Sequence, residues 1–192
     1  LRRESLALRR GSAQASERIA EFPLAGLAED IVWAQVRSEL GQIPDEANHI
    51  LGYAVTEMTN NAIDHSRGTT LRVAVSQQRR VARVVVADDG IGAFRSIADS
   101  FGYDDVADAV VDLTKGKRTT DPQRHSGEGI FFTSKAVDTF TLDANGYRFV
   151  VDNRNADVAL GEGYGVGTTV AMTLDLDTTR RLVDVFAAHT EH

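Results

Sequence analysis

The sequence predicts a two-layer α/β sandwich, a mixed, mostly antiparallel sheet with helices on one face. Three observations predict it. Stretches of helical spacing lie on both sides of a Val-rich central block; that block, "LRVAVSQ" and "RVARVVVADDG", carries the alternation and the continuous apolar run of strands. Further on, "TFTLDANGYRFVVDN" folds back on itself at Asn145-Gly146, a pair suited to a turn whose two central residues both need positive φ.

Taken in order, "LRRESLALRRGSAQAS" reads as a basic helical piece running into a Gly/Ser/Ala/Gln linker, the tail of an upstream domain over residues 1–16. The arginine pairs fit a solvated linker helix better than a nucleic-acid patch. "RIAEFPL" is a short strand. "GLAEDIVWAQVRSEL" is a helix whose apolar stripe takes in Leu27, Ile31, Val36 and Leu40, with Gly41 ending it. Pro44 starts a second helix running to about His65, and Asp45 and Glu46 suit its first turn, where the helix dipole favours negative charge. The two Val-rich strands follow. "FGYDDVADAVVDLTKG" is one helix, "KGKRTTDPQRHS" a polar loop, and "GEGIFFTSKAVD" opens on glycines and continues as a helix. After the hairpin come "GTTVAMTLDL", the closing strand, and "TTRRLVDVFAAH", a C-terminal helix over 177–192 that leads toward a downstream domain. Repeats and low-complexity segments are absent.

Composition narrows the class. Of 192 residues, 42% are hydrophobic and 26% charged, which allows one domain with a good core. With no cysteine, disulfides and Cys-ligated zinc are excluded, and a reducing cytoplasm fits by default. No apolar run approaches the roughly 20 residues that span a bilayer, and no signal peptide is evident, so no membrane partner is expected. A net charge of −7 argues against a surface that is one large nucleic-acid footprint. Opening on Leu1, the chain reads as a piece of something longer.

Chemistry concentrates in four places. On a helical wheel Glu57, Asn61 and Asp64, spaced i, i+4, i+7, share one narrow stripe, while Leu51, Val55, Met58 and Ala62 form an apolar stripe elsewhere on the same helix. The helix can therefore pack on the sheet and line a cleft with its polar groups; the same pattern also fits an amphipathic helix whose polar face meets water. "VVVADDGIGAF" ends a strand on Asp88 and bends at Gly90 and Gly92. "HSGEGIFF" puts Gly127 and Gly129 just before a helix, where free backbone N–H groups and the positive helix end suit a phosphate. "GVGTTVAM" places Thr168 after Gly167 at the start of the last strand. Alone, each of these is weak evidence.

Together and in this order they resemble the ATP-binding domain of the superfamily containing gyrase, heat-shock chaperones, histidine kinases and MutL, with its Bergerat fold. The resemblance covers about Glu17 to Leu176, hence an ATP-binding domain over 17–176. It implies that Asn61 ligates a Mg²⁺ bridging the phosphates of ATP. Asp88 would accept from the adenine amino group with Thr168 assisting, Gly90 and Gly92 would shape the adenine end, and Gly127 and Gly129 would cradle the phosphates. Glu57 would be the general base and Asp64 an orienting neighbour. "TKGKRTTDPQRHS" would be an ATP lid whose Lys115, Lys117 and Arg118 either neutralise the γ-phosphate or form a solvated basic loop.

Two departures matter. Glu128 puts an acid beside the phosphate position and must point away from it. The upstream segment holds no histidine, the first being His49, and His65 and His125 flank the site without resembling a phospho-acceptor. The phrases "YAVTEMTNNAIDHS" and "HSGEGIFFTSKAVDTFTL" are most similar to the ATP-binding domain of bacterial regulators with helix-turn-helix and STAS-like neighbours, and the N-box glutamate to anti-sigma-factor serine kinases. The expected function is a regulatory Mg·ATP switch or slow ATPase with an upstream DNA-binding domain. The alternatives are a serine/threonine kinase acting on a STAS-like or sigma-factor-type protein, and a degenerate interaction domain.

Overall fold

The computed structural model describes residues 16–114 and 126–190. The chain runs β1 (Arg18–Pro23), α1 (Glu29–Leu40), α2 (Asp45–His65), β2 (Thr70–Gln78), β3 (Val81–Asp88), α3 (Ala93–Phe101), α4 (Val106–Thr114), α5 (Ser126–Ala136), β4 (Thr139–Ala144), β5 (Tyr147–Asp152), β6 (Asp157–Glu162), β7 (Thr168–Asp175) and α6 (Leu182–Thr190). The strands form one seven-stranded sheet in the order β1-β2-β3-β7-β4-β5-β6, antiparallel at every pairing. Helices and sheet make the two-layer sandwich that the sequence predicts.

Strand periodicity decides which side faces the helices. Val73, Val84 and Val86, with Val170, Met172, Phe140, Leu142, Phe149 and Val151, occupy alternate positions and are buried together. Their in-between neighbours Ala74, Val85, Ala171, Thr141 and Val150 lie on the opposite face in one register row. From the helical layer, α2 presents Leu51, Val55, Met58 and Ala62, all buried as its wheel requires. Burying one such Leu or Val is worth about 1.5–3 kcal/mol, so this stripe fixes the rotation of α2 and with it the direction of its polar side. The last helix closes over α2 and α5, with Phe186 edge-on to Tyr53 at 5.2 Å and to Phe132 at 5.0 Å.

Four expectations change. The helix expected from Phe101 onward starts only at Val106, as α4, while Phe101 ends α3, a helix that was not expected and that Gly102 closes in the left-handed conformation with φ 70°. Gly102 is a C-cap, a role that stops a helix where the expected pattern ran through it. On α1 the inward stripe is Val32, Val36 and Leu40, whereas Ile31 is 53% exposed. β6 was not expected at all. All its residues are exposed, as an edge strand held on one side only allows, so the sequence carries no burial pattern there. Finally, Gly127 and Gly129 lie inside the first turn of α5, not ahead of it. The first four N–H groups of a helix have no intrahelical partner, so a glycine in that turn interrupts little.

The basic segment 1–15 and the lid segment 115–125, with Lys115, Lys117, Arg118 and His125, lie outside the described residues. Among the described residues, no helix is long and apolar enough to cross a membrane.

Candidate functional site

The register of the central strands builds the site. β3 and β7 pair so that Asp88 stands directly opposite Thr168, and β4 pairs with β7 so that Ala144 stands opposite Thr168 from the other side. The ends of three strands therefore meet beneath the C-terminal half of α2. A cleft of about 480 Å³, open to solvent, lies there. Its floor is Val86, Leu142 and Val170, its helical wall Met58, Asn61 and Ile130, and Asp88 and Thr168 stand at the strand ends. An apolar slot with a few convergent polar groups is the usual character of a small-molecule site.

Asp88 is half-buried, and its Oδ1 accepts from the Gly90 N–H at 2.9 Å and the Thr168 N–H at 3.3 Å. Burial raises its pKa above the ordinary carboxylate value; those hydrogen bonds oppose the rise without cancelling it. A carboxylate offers about four lone-pair sites, so acceptor capacity remains toward the cleft. Its neighbour shifts the other way. The exposed Asp89 accepts from the Thr70 and Thr69 N–H groups at 2.9 and 2.6 Å and from the Thr69 hydroxyl at 2.7 Å, which brings its pKa down to about 2. That clasp fastens the start of β2 to the end of β3. Since its folded pKa is depressed, the stabilisation is present above the ordinary value of 3.8 and is lost as pH falls through about 2.

Backbone contact dictates the glycines that follow. A Cβ on Gly90 would be driven into the carbonyl oxygen of Ser66, which the Ile91 N–H holds at 2.7 Å. Neither side is the end of a flexible side chain, so Gly90→Ala is expected to cost about 1–3 kcal/mol, seen as a lower denaturation midpoint in urea at unchanged slope. Gly92 has φ +89°, and a Cβ there would enter the side-chain amide of Asn145.

On the helical side, the Glu57 carboxylate lies against α5 at the spot where a Cβ on Gly129 would be, so a side chain there would push the carboxylate aside. The position of a Cβ on Gly127 meets nothing among the described residues. Tyr53 feels burial first, then the charges of Glu57 and Glu128, and all three raise its pKa, keeping the phenol protonated. Glu128 thus shares the surroundings of Tyr53 with Glu57. Asn61 lines the cleft, and its Nδ2 is buried without a hydrogen-bond partner. Asp64, on the next turn of α2, is exposed and lies outside the cleft lining.

The structure therefore brings Asn61, Asp88, Gly92 and Thr168 to one cleft, sets Gly90 behind it and Glu57 against α5, and leaves Asp64 outside. It adds His65, Ser66 and Ser96 to the lining, and Asn145 behind Gly92. The sequence places His65 beside the site but marks neither Ser66 nor Ser96, and Asn145 reads as a turn residue only.

A family model described as a histidine kinase-like ATPase domain matches residues 28–152. That span takes in Glu57, Asn61, Asp88 and the four glycines discussed, and leaves Thr168 beyond its end. No curated protein matches the chain. With most of its length matched, the chain belongs to the histidine kinase-like ATPase domain family.

Proposed function

We propose that the domain binds Mg·ATP in this cleft and works as an ATP-dependent regulatory switch or slow ATPase within a bacterial signalling or transcription protein. The observation that carries the reading is the Asn61 amide, which faces the same cleft as the half-buried Asp88 while its Nδ2 finds no protein partner. Buried polar groups are normally paired, so an unpaired one in a cleft marks a place for a ligand. Which amide atom faces the ligand is set by a simple rotation, and the oxygen suits a hard cation. Among the described residues no cluster of three or more His, Asp or Glu is placed to hold a metal. Mg²⁺ held by substrate phosphates and a single protein ligand fits that donor set, because Mg²⁺ commonly keeps most of its shell from phosphate and water.

The bound metal would neutralise phosphate charge. Asp88 and Thr168 receive the adenine edge, and the first turn of α5, with Gly127 and Gly129, takes the phosphates on its unpaired N–H groups. Glu57 would orient or deprotonate the attacking group. The neighbouring DNA-binding and STAS-like domains, a sigma-factor-type partner and a cytoplasmic setting belong to the same proposal and rest on the sequence resemblance alone.

Mg·ATP at a hundredfold excess over Kd is expected to stabilise the domain by about 2.7 kcal/mol, or roughly 5–10 °C in Tm, and the shift should shrink when EDTA removes the metal. A titration in a thermal-shift assay checks this. No shift at millimolar Mg·ATP would leave a degenerate interaction domain as the better reading.

A further inference from the structure

We infer that Asn145, at the tip of the β4–β5 hairpin, is a positioning residue for nucleotide binding: its side chain holds the N-terminus of α3, and so the wall of the cleft, in the conformation that receives the base. The inference rests on the Mg·ATP reading above.

Asn145 is the first central residue of the hairpin turn, with φ 51°, followed by Gly146 with φ 83°. The turn alone explains an Asn in that conformation. It does not explain what the side chain does. Asn145 Oδ1 accepts from the Arg95 N–H at 3.0 Å, and Asn145 Nδ2 donates to the Ile91 carbonyl at 2.8 Å. One amide thus bridges both ends of the Ile91–Arg95 segment, across 54 and 50 residues of sequence. The Arg95 N–H is one of the first-turn donors of α3 that no intrahelical carbonyl can reach, and the preceding Gly92 supplies no side-chain cap. Asn145 therefore caps α3 from a distant strand. The amide occupies the space that a Cβ on Gly92 would need, so the two residues fit each other.

The segment so held is functional surface, since Gly92, Ala93 and Ser96 line the cleft beside Asp88 and Thr168. The hairpin tip is itself well anchored. Ala144 is in register with Thr168 on β7, the Gly163 N–H donates to the Gly146 carbonyl at 2.9 Å, and Tyr147 packs edge-on against the buried Phe94 at 6.3 Å. The clamp thus ties α3 to the same strand ends that hold Asp88. A wall fixed before the ligand arrives spares it the cost of ordering that wall.

Asn145→Gly isolates the side chain, because glycine accepts the positive φ of the turn at least as readily as asparagine. Three measurements on parent and variant test the proposal: Kd for Mg·ATP by calorimetry, amide hydrogen exchange at Arg95 without nucleotide, and Tm. The expected result is faster exchange at Arg95, a Kd raised about tenfold, and a Tm lowered by about 2–6 °C, as the loss of a helix cap implies. Asn145→Asp keeps the acceptor for the Arg95 N–H but sets a carboxylate oxygen against the Ile91 carbonyl, so it should keep part of the Arg95 protection and still bind Mg·ATP more weakly than the parent. It also decides the matter should the glycine variant unfold. Faster exchange with an unchanged Kd would overturn the proposal and make the clamp purely structural, as would an Asn145→Asp that binds as tightly as the parent. A parent that binds no Mg·ATP removes the nucleotide reading itself, and this inference with it.

Discussion

Glu57→Gln is expected to lower phosphate release by about 10²–10⁴, the usual worth of a positioned general base, while Kd for Mg·ATP stays within a fewfold. Glu57 reaches the α5 end of the site from a helix whose rotation is fixed by the buried Leu51, Val55 and Met58. Its carboxylate rests where a Cβ on Gly129 would be, beside the turn whose N–H groups suit phosphate. On the reading proposed above, a base in that place would take the proton of the attacking oxygen, an interaction that is strongest only during reaction. Glutamine keeps the shape against Gly129 and removes the basicity, so it separates chemistry from packing. Glu57→Ala should show the same rate loss, with added destabilisation from the space it empties. The measurement is paired: affinity and turnover on the same preparations, with labelled γ-phosphate followed into water and into protein. Turnover that survives both substitutions would remove Glu57 from the chemistry. Label found in protein would favour a serine/threonine kinase over an ATPase, and a parent with affinity but no turnover would be a binding switch alone.

Asp88→Asn should weaken Mg·ATP binding by about 5- to 150-fold, the range for leaving one buried polar group unpaired at about 1–3 kcal/mol. An amide can keep the bonds from the Gly90 and Thr168 N–H groups through its oxygen, but its second group is a donor facing the donor of the base. Stability of the unliganded protein should move the other way. Burial raises the pKa of Asp88 in the folded state, so the folded state binds its proton more tightly than the unfolded state does. The carboxylate therefore costs nothing in the acid range below the ordinary value of 3.8, and a penalty grows as pH rises from there through the raised folded pKa. Above that window Asp88→Asn should be as stable as the parent or more so, and the gap should close in acid. Urea titrations at several pH values and a binding isotherm check both halves. Unchanged affinity would reduce Asp88 to a turn residue.

Much of the fold was legible because burial writes a period into the chain. The strict alternation of β2 and the Val run of β3 announced strands, and the α2 stripe announced which side of that helix was free for polar groups. Where burial left no period, as in β6, exposed along its whole length, the reading failed. The short α3 was missed although it carries one, with Phe94, Ile97 and Ala98 buried at helical spacing, because the expected helix was begun at Phe101, where α3 ends. The site was half legible. Glu57 and Asn61 stand out as a polar stripe on a helix that packs on the sheet, and Asp88 and the glycines as the ends of regular elements, whereas Asn145 looked satisfied by its turn; Asp64, expected as an orienting neighbour on the same stripe, lies outside the cleft lining.

By itself the sequence determined the two-layer architecture, the order of its motifs and the chemistry on offer: carboxylates, an amide and flexible glycines at the ends of regular elements. Those follow from local periodicity and from the conformations that single residues allow. The tertiary structure alone decided which of them meet. Strand register puts Thr168 across from Asp88, the Glu57 carboxylate takes the space left by the missing Cβ at Gly129, and a hairpin tip 50 residues away caps α3. Each is a contact between segments far apart in the chain, set by how the sheet pairs and the helices pack, and no local spacing encodes it.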